Sequence, residues 1–182
     1  SITRTGGAIS IEGVDSAGIL LEGALEGALR SGGTTTVTGD RSYGIHALST
    51  IGGEVSITGA VTAQGQGAVA VALDQNVGGR LTLQSAISAT GFRYTTRPAD
   101  AAVAKLDADD LLIGGPAVRI QGDVAGGVLV DVPPVDTSAT DTDEDKDGVP
   151  DAQEGSGSIT SFGPAPAMLI GAAGRDVRIG SL

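Results

Sequence analysis

The chain contains no cysteine and no tryptophan, and only one histidine, two tyrosines and two phenylalanines among its 182 residues. Without cysteine it has neither a disulfide framework nor a thiolate-bound zinc or iron–sulfur site. A single imidazole excludes the usual zinc enzymes, which use two or three. Because aromatic rings normally supply much of a compact core, this interior must be built from Ala, Val, Ile and Leu.

Basic residues and long apolar runs are also scarce. Eleven Lys and Arg stand against 22 Asp and Glu, so the net charge is −11, which is the wrong sign for a nucleic-acid or anionic-membrane binder. No apolar stretch is long enough to span a bilayer. We therefore expect no nucleic-acid partner and no membrane insertion of this segment. Hydrophobic residues nevertheless make up 40% of the chain, which argues against disorder.

The negative charge is concentrated in one short segment. Between Asp131 and Glu154 the chain carries nine acids and one base, Lys146, which accounts for −8 of the total. The rest is a nearly neutral body with most of the 30 glycines. This contrast predicts solenoid-forming residues 1–131, an inserted acidic loop 132–157, and a final solenoid unit 158–182.

Outside the acidic segment, the chain repeats a sequence pattern of two strands, which we call the two-strand phrase. A glycine pair such as Gly52-Gly53 or Gly78-Gly79 leads into alternating apolar and polar residues, which is typical of half-buried strands. A second apolar strand follows at a similar offset, and its six versions begin at Gly18, Gly44, Ala68, Ala102, Gly127 and Ala167. Units of 20–26 residues without helical periodicity predict an all-β parallel β-solenoid, or β-helix, of about five to six rungs. The alternative is an antiparallel sandwich with glycine turns.

The phrase Gly-Gly-x-[Val/Ile/Leu]-x-[Ile/Leu], followed by Gly-[Ile/Val]-x-[Ala/Val/Leu], resembles the passenger regions of bacterial autotransporters. The absence of cysteine and the few aromatic residues agree with that resemblance. It implies a single-stranded, right-handed parallel β-helix exported through the outer membrane to the bacterial cell surface. Since both ends fall in strand-like sequence, we expect this chain to be a piece of a longer passenger, or copies to stack end to end.

The segment Asp143–Glu154 has the ligand spacing of a twelve-residue calcium loop. Acidic residues occupy positions 1, 3, 5, 9 and 12, a carbonyl is available at 7, and Gly148 provides the sharp turn at 6. The predicted Ca²⁺ ligands are Asp143, Asp145, Asp147, Val149, Asp151 and Glu154. The loop resembles EF-hand and thrombospondin type-3 calcium loops, although Pro133-Pro134 before it and Gly155 after it argue against flanking helices. The alternative is a solvated acidic linker.

Other polar residues predict only surface roles. His46 falls on the outward side of the second strand as an ordinary surface residue, and Arg119 belongs to a solvent face. Glu54 and Arg80 follow consecutive glycine pairs, so they are expected to form an ion pair between rungs. The second strand also predicts an outer apolar stripe, which self-association or a loop of the same chain would cover: Leu20, His46, Ala70, Ala104, Leu129 and Leu169.

These patterns predict a non-enzymatic structural or adhesive module on the cell surface with a Ca²⁺-stabilised loop. The only His has no Gly-x-Ser-x-Gly motif to act with, and no catalytic residues are predicted. Candidate partners are a host surface, a glycan, or further copies, associating laterally or end to end. Two alternatives are a self-assembling surface filament subunit and a β-helix enzyme acting on polysaccharide.

Overall fold

The computed structural model describes residues 1–91, 99–105, 113–135, 137–138, 140–144, 146 and 150–181. The protein is nearly all-β. A single helical turn, α1, spans Asp100–Val103, and a 3-10 turn spans Asp151–Gln153. The strands are β1 Ile2–Arg4, β2 Ala8–Glu12, β3 Ala17–Leu21, β4 Leu29–Ser31, β5 Thr34–Thr38, β6 Tyr43–Ala47, β7 Val55–Ile57, β8 Val61–Gln64, β9 Val69–Leu73, β10 Leu81–Leu83, β11 Ala86–Thr90, β12 Val118–Ile120, β13 Val128–Val130, β14 Ser158–Phe162 and β15 Met168–Ile170.

The strands form three five-stranded sheets, and every pairing between these strands is parallel. Sheet A has the order β1-β4-β7-β10-β13, sheet B the order β14-β11-β8-β5-β2, and sheet C the order β15-β12-β9-β6-β3. Leu29 pairs with Val55 and Val55 with Leu81, so one coil of the chain takes 26 residues. The predicted parallel all-β architecture is therefore confirmed, and the antiparallel sandwich does not fit the described strands.

The core consists of aliphatic columns that run across the coils. In sheet A, Val55, Leu81 and their ladder neighbour Leu29 are at most 1% exposed. A corner column of single bridges links Leu25, Ile51, Val77, Val124 and Ile179. Small branched side chains fill these positions because successive parallel strands lie only about 4.8 Å apart, which leaves little room between stacked residues.

Glycine is required where one coil passes closest to the next. A Cβ atom on Gly59 would lie 2.2 Å from the backbone oxygen of Gly33. A Cβ atom on Gly33 would likewise lie 2.2 Å from the backbone oxygen of Gly7. Gly39 and Gly65 stack in the same way and have φ angles of +152° and +143°, which favour glycine. Stacked glycines thus allow the corners of successive coils to approach closely.

The chain does repeat parallel strands as predicted, but the predicted assignment of equivalent strands in successive coils, the phase of the repeat, is wrong. The strands that follow the glycine pairs lie in different sheets: β2 and β5 in sheet B, β7 and β10 in sheet A, and β12 in sheet C. The predicted strand at Ala102–Lys105 overlaps helix α1 and its C-terminal cap. Its place in sheet C is taken by β12, which follows the insertion between β11 and β12. Glycine pairs occur at more than one corner, so they cannot by themselves identify equivalent strands.

The shift in phase also changes the predicted contacts. Glu54 forms its ion pair with Arg30 of the preceding coil, whereas Arg80 donates to the hydroxyl of Thr82. The predicted Glu54–Arg80 pair is therefore wrong. Arg30 reaches Glu54 because its neighbour Leu29 pairs with Val55, which places the two side chains at adjacent outward positions.

The outer stripe of sheet C also has different members from those predicted. Its register joins Leu20, His46, Ala72, Arg119 and Leu169. Leu20 and Leu169 are 47% and 40% exposed, while Ala72 is fully buried. Because this burial is present in a single chain, residues of the same chain cover the middle of the stripe. Only its two ends remain exposed.

Candidate functional site

A cluster of four polar side chains lies on the outer face of sheet C. Tyr43 and His46 are on β6, Asp74 follows β9, and Arg119 is on β12. His46 Nε2 lies 2.8 Å from Asp74 Oδ2, and Arg119 donates from Nη2 to both Asp74 oxygens at 2.9 and 3.1 Å. The Tyr43 and His46 rings stack with their centroids 3.9 Å apart, and the Arg119 guanidinium carbon lies 5.3 Å from the Tyr43 centroid.

The cluster is largely shielded from water. The side chains of His46, Asp74 and Arg119 are 10%, 20% and 19% exposed. At that burial a charged group requires partners. The Asp74 carboxylate is hydrogen-bonded to three nitrogen atoms, Nε2 of His46 and Nε and Nη2 of Arg119. His46 is therefore not an ordinary surface residue, and Arg119 does not lie on an open solvent face; both expectations are wrong. The cluster joins three coils on the outside of the sheet.

Sequence reasoning missed this cluster because its members are far apart in the chain. His46 and Asp74 are separated by 28 residues and Asp74 and Arg119 by 45. The 26-residue register relates His46 to Ala72, and Asp74 lies two positions beyond it. Arg119 pairs with Ala72 in the next coil, but the insertion between β11 and β12 makes their separation in the sequence longer than 26 residues. The correct register was the one signal that could have revealed the cluster.

The acidic insert contains a second group of polar residues. The backbone N–H groups of Thr137 and Ser138 donate to Glu144 Oε1 at 3.2 and 3.3 Å. The N–H of Asp151 donates to the carbonyl of Thr142 at 2.9 Å. These contacts fold the segment back on itself, so that the start and the end of the predicted calcium loop lie side by side.

The carboxyl groups of Glu144 and Asp151 meet within this fold. Glu144 Oε2 and Asp151 Oδ1 are buried, and no other described residue donates a hydrogen bond to them. The neighbouring Glu144 carboxyl raises the pKa of Asp151 to about 6, and contact with Asp151 lowers the pKa of Glu144. Two carboxyls in contact behave in this way because like charges repel, so the pair needs either one shared proton or a cation between them. Glu144 stands at position 2 of the loop and was not predicted as a ligand.

The predicted calcium ligands are only partly within the described residues. Asp145, Asp147 and Val149 lie outside them. Of the others, Asp143 and Asp151 are half-buried in the folded insert. Across the part of the chain that the structure describes, no three His, Asp or Glu side chains come together as a metal site. The six-ligand calcium site therefore remains a prediction.

Glu154, the last predicted ligand, attaches the insert to the solenoid. Gln84 Nε2 donates to Glu154 Oε1 at 3.0 Å, and Gln84 is fully buried just after β10. Nearby, the N–H of Gly157 donates to the carbonyl of Asp131 at 2.6 Å, which joins the two ends of the insert. The insert thus leaves sheet A and enters sheet B through a closed neck formed by Asp131 and Gly157, and Glu154 contacts the solenoid directly.

No protein family, no curated protein and no solved structure matches the chain. Among the described residues, no helix has the length and apolar character needed to cross a membrane.

Proposed function

We propose that the chain is a non-enzymatic structural or adhesive module of the bacterial cell surface: a right-handed β-helix of about five to six rungs, stiffened by a Ca²⁺-binding loop. The passenger-like repeat and the cysteine-free composition support the location. The three continuous parallel sheets support a rigid, extended scaffold. Its partners would be a host surface or a glycan.

The observation that carries the calcium proposal is the pair of buried carboxylate oxygens on Glu144 and Asp151, which lie against each other and receive no N–H or O–H group from any other described residue. Oxygen atoms of this kind are costly to bury without a donor or a cation. Carboxylate oxygens are the ligands that Ca²⁺ prefers, so the donor set fits the ion. Asp143, Asp151 and Glu154 would hold it together with Asp145, Asp147 and the carbonyl of Val149. Glu144 adds a further carboxylate.

The role of the ion would be structural. It would offset the repulsion among the crowded acids of the insert and hold the closed neck against the solenoid. Glu154 lies at the junction of the two, because it also accepts the hydrogen bond from Gln84. Such a loop would be ordered in an extracellular medium, where Ca²⁺ is abundant.

Removing calcium is expected to lower the melting temperature and to expose residues 132–157 to proteases. A ligand present at 100 times its Kd stabilises the folded state by about 2.7 kcal/mol. The measurement is a melting curve with Ca²⁺, with Mg²⁺, and after chelation, accompanied by limited proteolysis. The variant Glu154→Gln keeps an oxygen acceptor for Gln84 but loses the carboxylate, so it should melt like the chelated protein and should not respond to Ca²⁺. Identical melting and proteolysis with and without Ca²⁺ would rule out the site.

The enzyme alternative has one observation in its favour, the acid–base cluster at His46 and Asp74. A screen of acidic and neutral polysaccharides for shortened products distinguishes it from the proposed role. Cleavage that His46→Gln abolishes would establish an enzyme, and the absence of cleavage together with retained glycan or surface binding would support the adhesive module.

A further inference from the structure

Gln84 is a long polar side chain at a corner where the two preceding coils carry smaller residues. It comes directly after β10, and the sheet A register makes Thr58, after β7, and Gly32, after β4, its equivalents. In all three coils the backbone passes through this corner in the same way, because each strand pairs in parallel with the next. The corner therefore forms without an amide in two coils, so the solenoid by itself does not require the side chain of Gln84.

The end of the acidic insert covers Gln84. Gln84 is fully buried, whereas its equivalents Thr58 and Gly32 are only half-buried. Gly155 of the insert passes so close that a Cβ atom on it would lie 2.7 Å from the backbone oxygen of Gln84. A side-chain amide at this depth is costly to bury unless it is hydrogen-bonded. The insert supplies the partner, because Gln84 Nε2 donates to Glu154 Oε1 at 3.0 Å.

The backbone on both sides of Glu154 is also held in place. Before it, the N–H of Glu154 donates to the carbonyl of Asp151 at 3.2 Å and closes the 3-10 turn. After it, a Cβ atom on Gly157 would lie 2.3 Å from the backbone oxygen of Leu83, so the chain runs directly against sheet A. Packing as close as this leaves the backbone little room to move. The solenoid thus fixes the backbone around Glu154, and Gln84 holds its carboxylate.

We propose that Gln84 is a positioning residue of the calcium site: its amide, anchored in the solenoid, holds the Glu154 carboxylate in place as a ligand before the ion binds. This role rests on the proposed calcium-binding function. A glutamate side chain loses rotational freedom when it binds a metal, and a hydrogen bond that already holds it reduces that cost. Residues that orient metal ligands in this way typically contribute about 10–100-fold to metal affinity.

An amide suits this role because it is a neutral donor. A lysine or arginine at the position of Gln84 would neutralise the Glu154 carboxylate and compete with a cation for it. The amide donates an N–H group and leaves the full negative charge on Glu154. The one basic residue between Asp131 and Glu154 is Lys146, and it is exposed. The carboxylate that Gln84 holds therefore keeps the charge that attracts Ca²⁺.

Calcium titration of the full chain and two variants tests the proposal. Gln84→Met keeps the length of the side chain but has no amide, so it should raise the Kd for Ca²⁺ about 10–100-fold in isothermal titration calorimetry. Thr58→Val is the matched control, because it removes a polar group from the same corner one coil earlier, and it should bind Ca²⁺ like the wild-type chain. The melting temperature of each chelated protein is measured as well. If Gln84 had only a structural role, Gln84→Met would lower that temperature without changing the Kd.

Circular dichroism must show that Gln84→Met is folded; if it is not, Gln84→Asn takes its place, since its amide is one methylene too short to reach Glu154. Equal Kd values for the wild-type chain and the Gln84 variant overturn the positioning role and leave the calcium site standing. A Thr58→Val control whose Kd rises to the same degree also overturns that role, because the effect would then belong to the corner in general. A wild-type chain that binds no Ca²⁺ overturns the calcium site itself, and the role of Gln84 with it.

Discussion

Asp74→Ala is expected to destabilise the protein strongly, by about 3 kcal/mol in the free energy of unfolding. The substitution leaves Arg119 as a largely buried cation without its carboxylate, and it removes the partner of His46 Nε2. Breaking a fully buried ion pair costs about 3–5 kcal/mol, and the 20% exposure of Asp74 places the expected value at the lower end. Urea denaturation measures the change.

Asp15 provides a matched control for this prediction. Arg41 donates two hydrogen bonds of 2.7 Å to the Asp15 carboxylate, so this ion pair is bidentate like that of Arg119 and Asp74. Both side chains, however, are about three-fifths exposed. Exposed pairs contribute little, and asparagine tolerates the φ of 54° at this position as aspartate does, so Asp15→Asn should leave the urea midpoint unchanged within error. Adding Arg119→Met to Asp74→Ala should recover part of the loss, because it removes the uncompensated cation. Equal losses for Asp74→Ala and Asp15→Asn would mean that the cluster is not a buried ionic network.

Gly59→Ala is the second change with a large expected effect. The added Cβ would lie 2.2 Å from the backbone oxygen of Gly33, and a backbone atom cannot rotate away as a side chain can. The corner would have to open, which also disturbs the neighbouring stacked glycines. Overpacking of this kind typically costs about 1–3 kcal/mol, and we expect the upper part of that range. The measurement is again the free energy of unfolding in urea.

Gly23→Ala separates this steric effect from the general behaviour of glycine. Gly23 is exposed, and a Cβ there would have nothing within 4 Å. Removing the flexibility of an unconstrained glycine stabilises a protein by about 0.4–1 kcal/mol. The two variants should therefore shift stability in opposite directions. If Gly59→Ala is as stable as Gly23→Ala, the coils do not approach as closely at this corner as the backbone indicates.

The acidic insert shows which parts of a candidate site can be predicted from residue spacing alone. The spacing of Asp143, Asp151 and Glu154 predicts a calcium loop because ligand positions alternate around a required glycine. It could not predict that Glu144 lies against Asp151, or that Glu154 reaches Gln84. Both contacts depend on how the insert folds over the solenoid, and Gln84 is 70 residues away from Glu154 in the chain.

What the sequence determined by itself is the kind of fold. Alternation of apolar and polar residues, recurring glycine pairs and the lack of aromatic residues predict a narrow aliphatic core in parallel coils, because these signals lie in residues that are close together in the chain. The tertiary structure alone decided the phase of the coils. It placed Glu54 beside Arg30 instead of Arg80, and it gathered Tyr43, His46, Asp74 and Arg119 into one buried cluster. The physical reason is that a parallel ladder pairs residues a whole coil apart, while glycine pairs occur at more than one corner of the coil, so local pattern does not show which residues are paired.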